Sequence, residues 1–515
     1  MGKNLFNSIK LERPKKNVFD LTHDVKLSAD MGNLTPILTL ECVPGDKFEL
    51  GCESLIRFSP LIAPVMHRMD VSMHYFFVPN RILWDNWEKF ITDANSGAVM
   101  PYFESDYFEP QFNSPSQSGS ASLNADYLGV PTPPDNSTTT NINALPFAAY
   151  QCIYNEYYRD QNLITPINYK LQDGDQAPGG NFTRVRELCN LRKRAWEHDY
   201  FTAALPFAQK GAAVDIPLGE ISGDALVKTS GTTTTLTGTT NITVPNASSI
   251  PPYAPNQLFA ETDGLELQPT TINDLRRAFR LQEWLEKNAR GGTRYIESIL
   301  THFGVKSSDK RLQRPEYITG VKSPVVISEI VNTTGQVNQP GEDAGLPQGN
   351  MAGHGMSVSS GRSGSYYCEE HGYIIGIMSV MPKTAYQQGI PKTFLKNDTL
   401  DYYWPSFAHI GEQPVQNNEI FAYTSTGQDT FGYVPRYSEY KFMPSRVAGD
   451  FRNTLDYWHL GRIFSTQPAL SAAFVECEPT KRVFAVSGPE QSLYCHVLNK
   501  IKAIRPMPKF GTPMF

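Results

Sequence analysis

Three short stretches carry residues able to do chemistry. "WEHD" at 196–199 sets Glu197, His198 and Asp199 side by side, a set that could move protons. Lys193 and Arg194 precede it, and a lone acidic cluster beside cations reads as a salt-bridged surface turn. "CEEH" places the Cys368 thiol three residues from the His371 imidazole, half of a zinc site. No second half follows at ligand spacing, so these read as polar residues leading into a strand that begins at Gly372. "GHGMSVSSG" at 353–361 has the glycines of a phosphate loop, but neither a strand before it nor a helix after it, and it reads as a loop. There is no GxxxxGK[ST], no GxSxG and no HExxH. A Ser-His-Asp triad is built from distant positions and cannot be read from spacing. No catalytic residue, metal site or cofactor is expected, and the chain reads as a non-enzyme.

A fourth stretch is of another kind. "FGYVPRYSEYK" at 431–441 holds Tyr433, Tyr437 and Tyr440 with Arg436, Glu439 and Lys441. Tyrosine has a rigid apolar body and a polar tip. Such a segment can cradle a substrate, stack bases or pack against another subunit.

Composition narrows the choice. Of 515 residues, 19% are charged, below the usual quarter or so, while 11% are aromatic. Interface cores show that bias. With 38 glycines and 38 prolines the chain reads as a loop-rich β protein. The net charge of −6 argues against polyanion binding by the whole molecule and leaves local basic regions to do it. Residues 1–16 hold Lys3, Lys10, Arg13, Lys15 and Lys16 against Glu12 alone, and residues 491–515 hold Lys500, Lys502, Arg505 and Lys509 with no acid. Both ends read as basic arms. Seven widely spaced cysteines without a CxxC suggest reduced thiols in a cytoplasmic setting. The opening has no apolar h-region, so no secretory signal is expected. "GYIIGIMSVM" (372–381) is too short to span a bilayer, and no membrane association is expected.

The elements must position these groups. "PILTLECV", "VSMHYFFVP", "GYIIGIMSVMP", "EIFAYTS", "RVFAVSG" and "LYCHVLNKI" read as short strands at the two ends of the chain. Periodicity predicts helices at 146–162, 274–290 (Asn273 as cap; Leu275, Phe279 and Leu285 on one face) and 294–303. Phe147, Tyr150, Ile153, Tyr154 and Tyr157 form a stripe that reads as core. Residues 102–143, 212–271 and 332–364 read as loop insertions, and the Thr-rich run 229–249 as exposed. The pattern is mainly β: a β-sandwich with large insertions rather than βαβ alternation.

"VFDLTHDVKLSADMGNLTPILTLECVPGDKFE", "SPLIAPVMHRMDVSMHYFFVPNRILWDNWEKFIT", "RKRAWEHDYFTAALPFAQKG", "LQEWLEKNARGGTRYIESILTHFGVKSSDKRLQRPEY", "DYYWPSFAHIGEQ" and "NKIKAIRPMPKFGTP" together resemble the major capsid proteins of the Microviridae, nearest the gokushovirus-like branch. The resemblance runs from about residue 17 to the C-terminus. It implies one eight-stranded antiparallel viral jelly roll over residues 1–515. It also implies self-assembly into an icosahedral T=1 shell around circular single-stranded DNA. The chain would assemble in the bacterial cytoplasm and reside in the virion. The implied partners are a scaffolding protein, a DNA pilot protein, a small basic DNA-binding protein and a host cell-surface receptor. Segment 212–271 would form an outward protrusion.

On this reading Tyr433, Arg436, Tyr437, Glu439, Tyr440 and Lys441 are subunit-interface candidates. The basic residues of the two ends, with Phe510, are candidates for single-stranded DNA, through phosphate neutralisation and base stacking. Thr233, Thr234, Thr235, Leu236 and Thr237 are host-contact candidates. The competing class is a β-sandwich carbohydrate-binding or hydrolytic domain, which should be secreted and show paired carboxylates in a groove. A free-standing single-strand-binding protein should be basic overall.

Overall fold

The computed structural model describes residues 15–510 apart from 93–96, 106–119, 132–139, 181, 213, 215–220, 223–225, 230–257, 262–265, 268–270, 291–299, 303–312, 334–347, 362–363 and 487. Thirteen strands matter here, in chain order: β1 (Asn17–Asp20), β2 (His23–Ala29), β3 (Thr35–Cys42), β4 (Lys47–Phe58), β5 (Met69–Pro79), β6 (Glu316–Pro324), β7 (Val326–Val331), β8 (Met351–Ser360), β9 (Gly364–Tyr367), β10 (Gly372–Pro382), β11 (Glu412–Gln416), β12 (Thr430–Pro435) and β13 (Leu493–Arg505). The helices used below are α1 (Ser120–Leu128), α2 (Leu145–Ile153), α3 (Thr183–Cys189) and α4 (Ile272–Arg290).

Two antiparallel sheets form the body. In the larger, β13 pairs with β4 and with both β1 and β2, while β4 continues to β8 and β9, and β8 to β7. The smaller runs β6-β5-β10-β3. Between them Phe48, Leu50, Ile56, Val497 and Ile501 meet Ile37, Met73, Tyr75, Ile374 and Met378 in one buried cluster. The far side of the smaller sheet is covered as well: Phe76, Val78, Ile375 and Ile377 pack against Phe147, Ala148 and Tyr150 of α2 and Val185 and Leu188 of α3. Every residue of β10 is therefore buried. A strand covered on both faces needs an unbroken apolar run, which "GYIIGIMSVMP" supplies. β13 alternates buried and accessible residues instead, the pattern of a strand with one face packed.

The sheets confirm a mainly β, antiparallel architecture, and several local readings need correction. Residues 493–505 are not an arm but a central strand. "EIFAYTS" is not a strand: Asn417–Ile420 form a helical turn closed by a Gln416/Glu419 capping box. "RVFAVSG" makes only the isolated bridge of Phe484 to Leu61. Within 332–364, residues 351–360 form β8, and within 102–143 lie α1 and the short pair Tyr102–Glu104 with Asn141–Asn143. The helix expected at 146–162 is α from 145 to 153, then a π turn over Tyr154–Tyr158, which leaves Tyr157 partly exposed. Of 294–303, residues 300–302 are helical, and 294–299 and 303 lie outside the described residues.

Residues 207–306 form a second compact unit. In it Leu226–Thr229 pairs with Leu258–Glu261, and Ile221–Ser222 with Glu266–Leu267. Helix α4 is capped by Thr271 rather than Asn273: the Thr271 hydroxyl donates to Asp274 Oδ2 (2.6 Å) and accepts from the Asp274 N–H (3.2 Å). Phe279 is exposed, off the face that buries Ala289.

The alternation of β13 yields the first prediction. Ile501→Ala should cost about 2–5 kcal/mol through the cavity it leaves, and Lys502→Ala less than about 1 kcal/mol. Urea midpoints measure both; equal losses would contradict the one-faced strand.

Candidate functional site

The connection from β10 to β13 holds residues 383–492, and its aromatic residues gather near β11 and β12. Tyr437 is the one described non-glycine residue with positive φ, at 61°. That backbone turns the chain out of β12 and drives the ring inward, to 2% exposure. Its N–H donates to Gln413 Oε1 (2.9 Å) and its hydroxyl accepts from the Trp404 N–H (3.3 Å). Arg436 stacks over the same ring and reaches the Leu400 carbonyl.

Beside it, Lys396 and Glu439 form an enclosed ion pair at 3.1 Å, their side chains 4% and 7% exposed. Burial raises the Glu439 carboxyl, but the Gln413 amide, its own backbone and Lys396 outweigh it and hold it below the usual range. The Lys396 ammonium lies 3.9 Å from the Tyr440 ring centroid. Burial pulls Lys396 down, and contacts with Tyr440 and Glu439 more than restore it.

Around this buried knot the surface is apolar. Tyr402, Tyr403, Trp404 and Tyr440 are about half exposed, Phe394 75% and Met443 91%. Tyr403 touches both Tyr437 (5.0 Å between centroids) and Tyr440 (6.2 Å). Phe394, Phe442 and Met443 line a groove of about 360 Å³. Soluble monomers seldom leave so much contiguous apolar surface open.

Of the interface candidates, then, Tyr437 and Glu439 are consumed inside the chain. Tyr433 is half-buried on β12 and bonded through its backbone to Leu205. Lys441 returns to the Arg436 carbonyl. Only Tyr440 lies open among the tyrosines of the segment. Phe394, Tyr402, Tyr403, Trp404, Phe442 and Met443 were not singled out. The signal available was "DYYWPSF" and "KFMP", apolar clusters with neither helical nor strand period.

The DNA candidates separate. Lys3, Lys10 and Arg13 lie outside the described residues, as do Thr233, Thr234, Thr235, Leu236 and Thr237. Lys15 is exposed. Lys16 donates to the Gly45 carbonyl and sits over Tyr367. Arg505 is tied to the buried Asp46 (2.9 Å). Lys500 meets Glu53 (2.5 Å) and Lys502 meets Glu49 (3.5 Å), all on the open face of the larger sheet. Lys509 lies near the exposed Phe510 ring.

The acids of two of the chemical stretches, 196–199 and 368–371, are held in internal contacts, and the third, 353–361, lies largely on β8. Glu197 bonds Lys322 (2.7 Å) and Lys383, which also share Asp70. Burial raises the Glu197 carboxyl, but the two lysines overwhelm it and hold it at about 2. Asp199 is buried, accepting from the Tyr386 hydroxyl (2.7 Å). Glu370 pairs with Arg81 (2.9 Å), and the His371 ring packs on Trp87. Among the described residues no cluster could hold a metal, and no helix is long and apolar enough to cross a membrane. All seven cysteines are buried and free. Burial pushes the Cys152, Cys189 and Cys477 thiols up, which leaves them unreactive.

One titrating group has a measurable consequence. His74 accepts or donates with the Tyr158 hydroxyl (2.7 Å) amid the rings of Phe76, Tyr158 and Tyr317. Burial, then Arg194 and Lys322, depress it to about 4. The folded chain thus holds it neutral where the unfolded chain binds a proton. Its contribution is complete above about pH 6.5 and is lost as pH falls toward 4, at most about 3 kcal/mol. Thermal melting against pH should show this slope, flattened in His74→Gln; an unchanged slope would discount the residue.

Comparison with known proteins places the chain in a family. Residues 7–515 match the family described as Capsid protein (F protein). The chain is 34% identical to capsid protein VP1 of Chlamydia phage 1, covering 99% of this chain and 97% of that one. It is 34% identical to capsid protein VP1 of Bdellovibrio phage phiMH2K (97% and 95%) and 29% to that of Spiroplasma virus 4 (99% and 97%).

Proposed function

The chain belongs to the capsid protein (F protein) family, and its role is structural; from that premise we propose that copies of it close into a T=1 icosahedral shell around single-stranded DNA, contacting one another through the aromatic surface at 394–443. The observation that carries this is the exposed apolar set itself. At roughly 200 Å² per large side chain, its exposed part is about 800 Å². A standard interface takes about 800 Å² from each partner. Residues of the Tyr, Trp and Met types are those that interface centres prefer.

Strand order supports a viral jelly roll as the scaffold. Taking β2, β3, β4, β5, β6, β8, β10 and β13 as its eight strands, four fall in each sheet, in orders β2-β13-β4-β8 and β3-β10-β5-β6. Long insertions then occupy the connections from β5 to β6 and from β10 to β13. On this reading the virion is the chain's residence, reached by assembly in the host cytoplasm. A scaffolding protein, a pilot protein and a small basic DNA-binding protein assist, on the strength of family resemblance. Thr233 to Thr237 are assigned to host-receptor contact on composition alone.

The test is surface-directed. Phe442→Ser with Met443→Ser removes two exposed residues, so the subunit should remain soluble and melt normally. Particle yield should fall at least tenfold, each lost contact being repeated in every copy. Electron microscopy and sedimentation read the outcome. Normal particle yield from a folded variant would place the subunit contact elsewhere.

A further inference from the structure

Among the described residues many cations are engaged by acids or carbonyls of the same chain, which makes the exceptions informative. Neither Arg68 nor Arg446 has a carboxylate partner among the described residues, and both side chains are exposed. They line one cavity of about 290 Å³. It lies where the β4–β5 loop meets the chain just after β10 and the segment 445–459.

The walls are fixed. The Met66 N–H donates to the Trp458 carbonyl (2.8 Å), and the His67 Nε2 lies 2.6 Å from the Lys383 carbonyl oxygen. The His459 Nε2 lies 2.7 Å from the Phe451 carbonyl oxygen. Phe451 and Trp458 stand edge to face, 6.4 Å between centroids.

The lining contains two arginines, Lys383, two histidines and two aromatic rings, and no Asp, Glu, Asn or Gln. Lys383 is already held by Asp70 and Glu197. Behind the wall, Arg482 spends its guanidinium on the carbonyls of His459 (2.9 Å), Gly461 (2.7 Å) and Asp456 (3.0 Å). Its charge lies behind the wall and is partly offset by the Asp456 carboxylate. Burial, with His459 and Arg482 nearby, holds His67 below the ordinary imidazole value despite its bond to the Lys383 carbonyl.

We propose that this cavity binds one nucleotide unit of single-stranded nucleic acid, the phosphodiester held by Arg68 and Arg446 and the base stacked on Trp458. Planar guanidinium forks match phosphate oxygens, and an aromatic face accepts any base. A sugar phosphate is the competing ligand, and the lining disfavours it. Carboxylate and side-chain amide groups, strong acceptors for sugar hydroxyls, are absent from these walls, which offer only the Thr384 and Ser445 hydroxyls among side-chain acceptors beside the two imidazoles. The proposal rests on the reading that the shell encloses single-stranded DNA and gives that DNA a contact point on the chain.

The probe is fluorescein-labelled dT10 titrated with the purified full-length chain, read by anisotropy over a range of salt. Arg68→Ala with Arg446→Ala should weaken binding roughly tenfold and reduce the salt slope by about one phosphate contact, with unchanged melting. Trp458→Leu should weaken dT10 but not an abasic oligomer of equal length. Lys500→Ala with Lys502→Ala, on the sheet face, should alter affinity less than the arginine pair. Equal affinity of the arginine variant and the parent chain would overturn the site while leaving the enclosed genome intact as a reading. Displacement of dT10 by glucose 1-phosphate as readily as by thymidine 5′-phosphate would overturn it in favour of a sugar phosphate. Failure of the parent chain to bind dT10 at all would count against both the site and a direct role of this chain in holding DNA.

Discussion

The double burial of β10 is the constraint on which the rest of the molecule depends. A strand flanked on both sides by sheet partners, β3 and β5, and covered on both faces, has no route to water. Its polar backbone is satisfied only by the ladder, and its side chains only by two separate cores. One core is the interior of the sandwich. The other exists because α2 and α3 are inserted between β5 and β6 and close over Phe76, Ile375 and Ile377. The insertions are therefore not ornaments on a completed sandwich. Remove them and the smaller sheet presents an apolar face to solvent.

The larger sheet is built on the opposite rule. Its outer face has no covering element in the described chain, so its residues alternate and its charges meet across the strands. Lys500 with Glu53 and Lys502 with Glu49 are half-exposed pairs worth little each in stability. Their effect is to keep a wide sheet face polar and close to neutral. Arg505 is different, since Asp46 is buried and would be an uncompensated charge without it.

These two rules decide what could be read from the sequence. β10 was legible because eleven apolar or small residues in a row leave few alternatives. Beyond Ile501 the sequence of β13 carries two signals at once, a run of cations without acids that reads as an arm and an alternation that reads as a strand, and the alternation decides because one face is packed. Gly353 and Gly355 make the β8 segment look like a loop in sequence. A Cβ on Gly355 would stand 2.9 Å from the Phe58 ring, and one on Gly353 would stand 2.5 Å from the Ala63 carbonyl oxygen. Those glycines mark close approach of a strand to its neighbours, which local propensity cannot express. The aromatic surface was half legible. "FGYVPRYSEYK" was recognised as a packing segment, but which tyrosine faces inward depends on the left-handed turn at Tyr437, and its partners Tyr403 and Trp404 come from a separate stretch. Lys396 was not foreseen at all, since a lysine's burial is set by the carboxylate it meets.

A chain of net charge −6 that belongs to a capsid family has an electrostatic difficulty if it is to lie against a polyanion. The structure meets part of it by internal pairing. Lys322 and Lys383 neutralise Asp70 and Glu197, Lys396 neutralises Glu439, and the lysines of β13 neutralise the acids of β4. Pairing removes repulsion without creating attraction, because each cation is already committed. Attraction must come from cations with no acid beside them. Among the described residues Arg68 and Arg446 have no carboxylate partner, and they share a cavity whose lining contains no carboxylate. On the proposed reading, unpaired charges beside aromatic faces suit weak contacts to a strand at many equivalent places, because tight binding at any one copy is unnecessary if every copy of a shell repeats the contact.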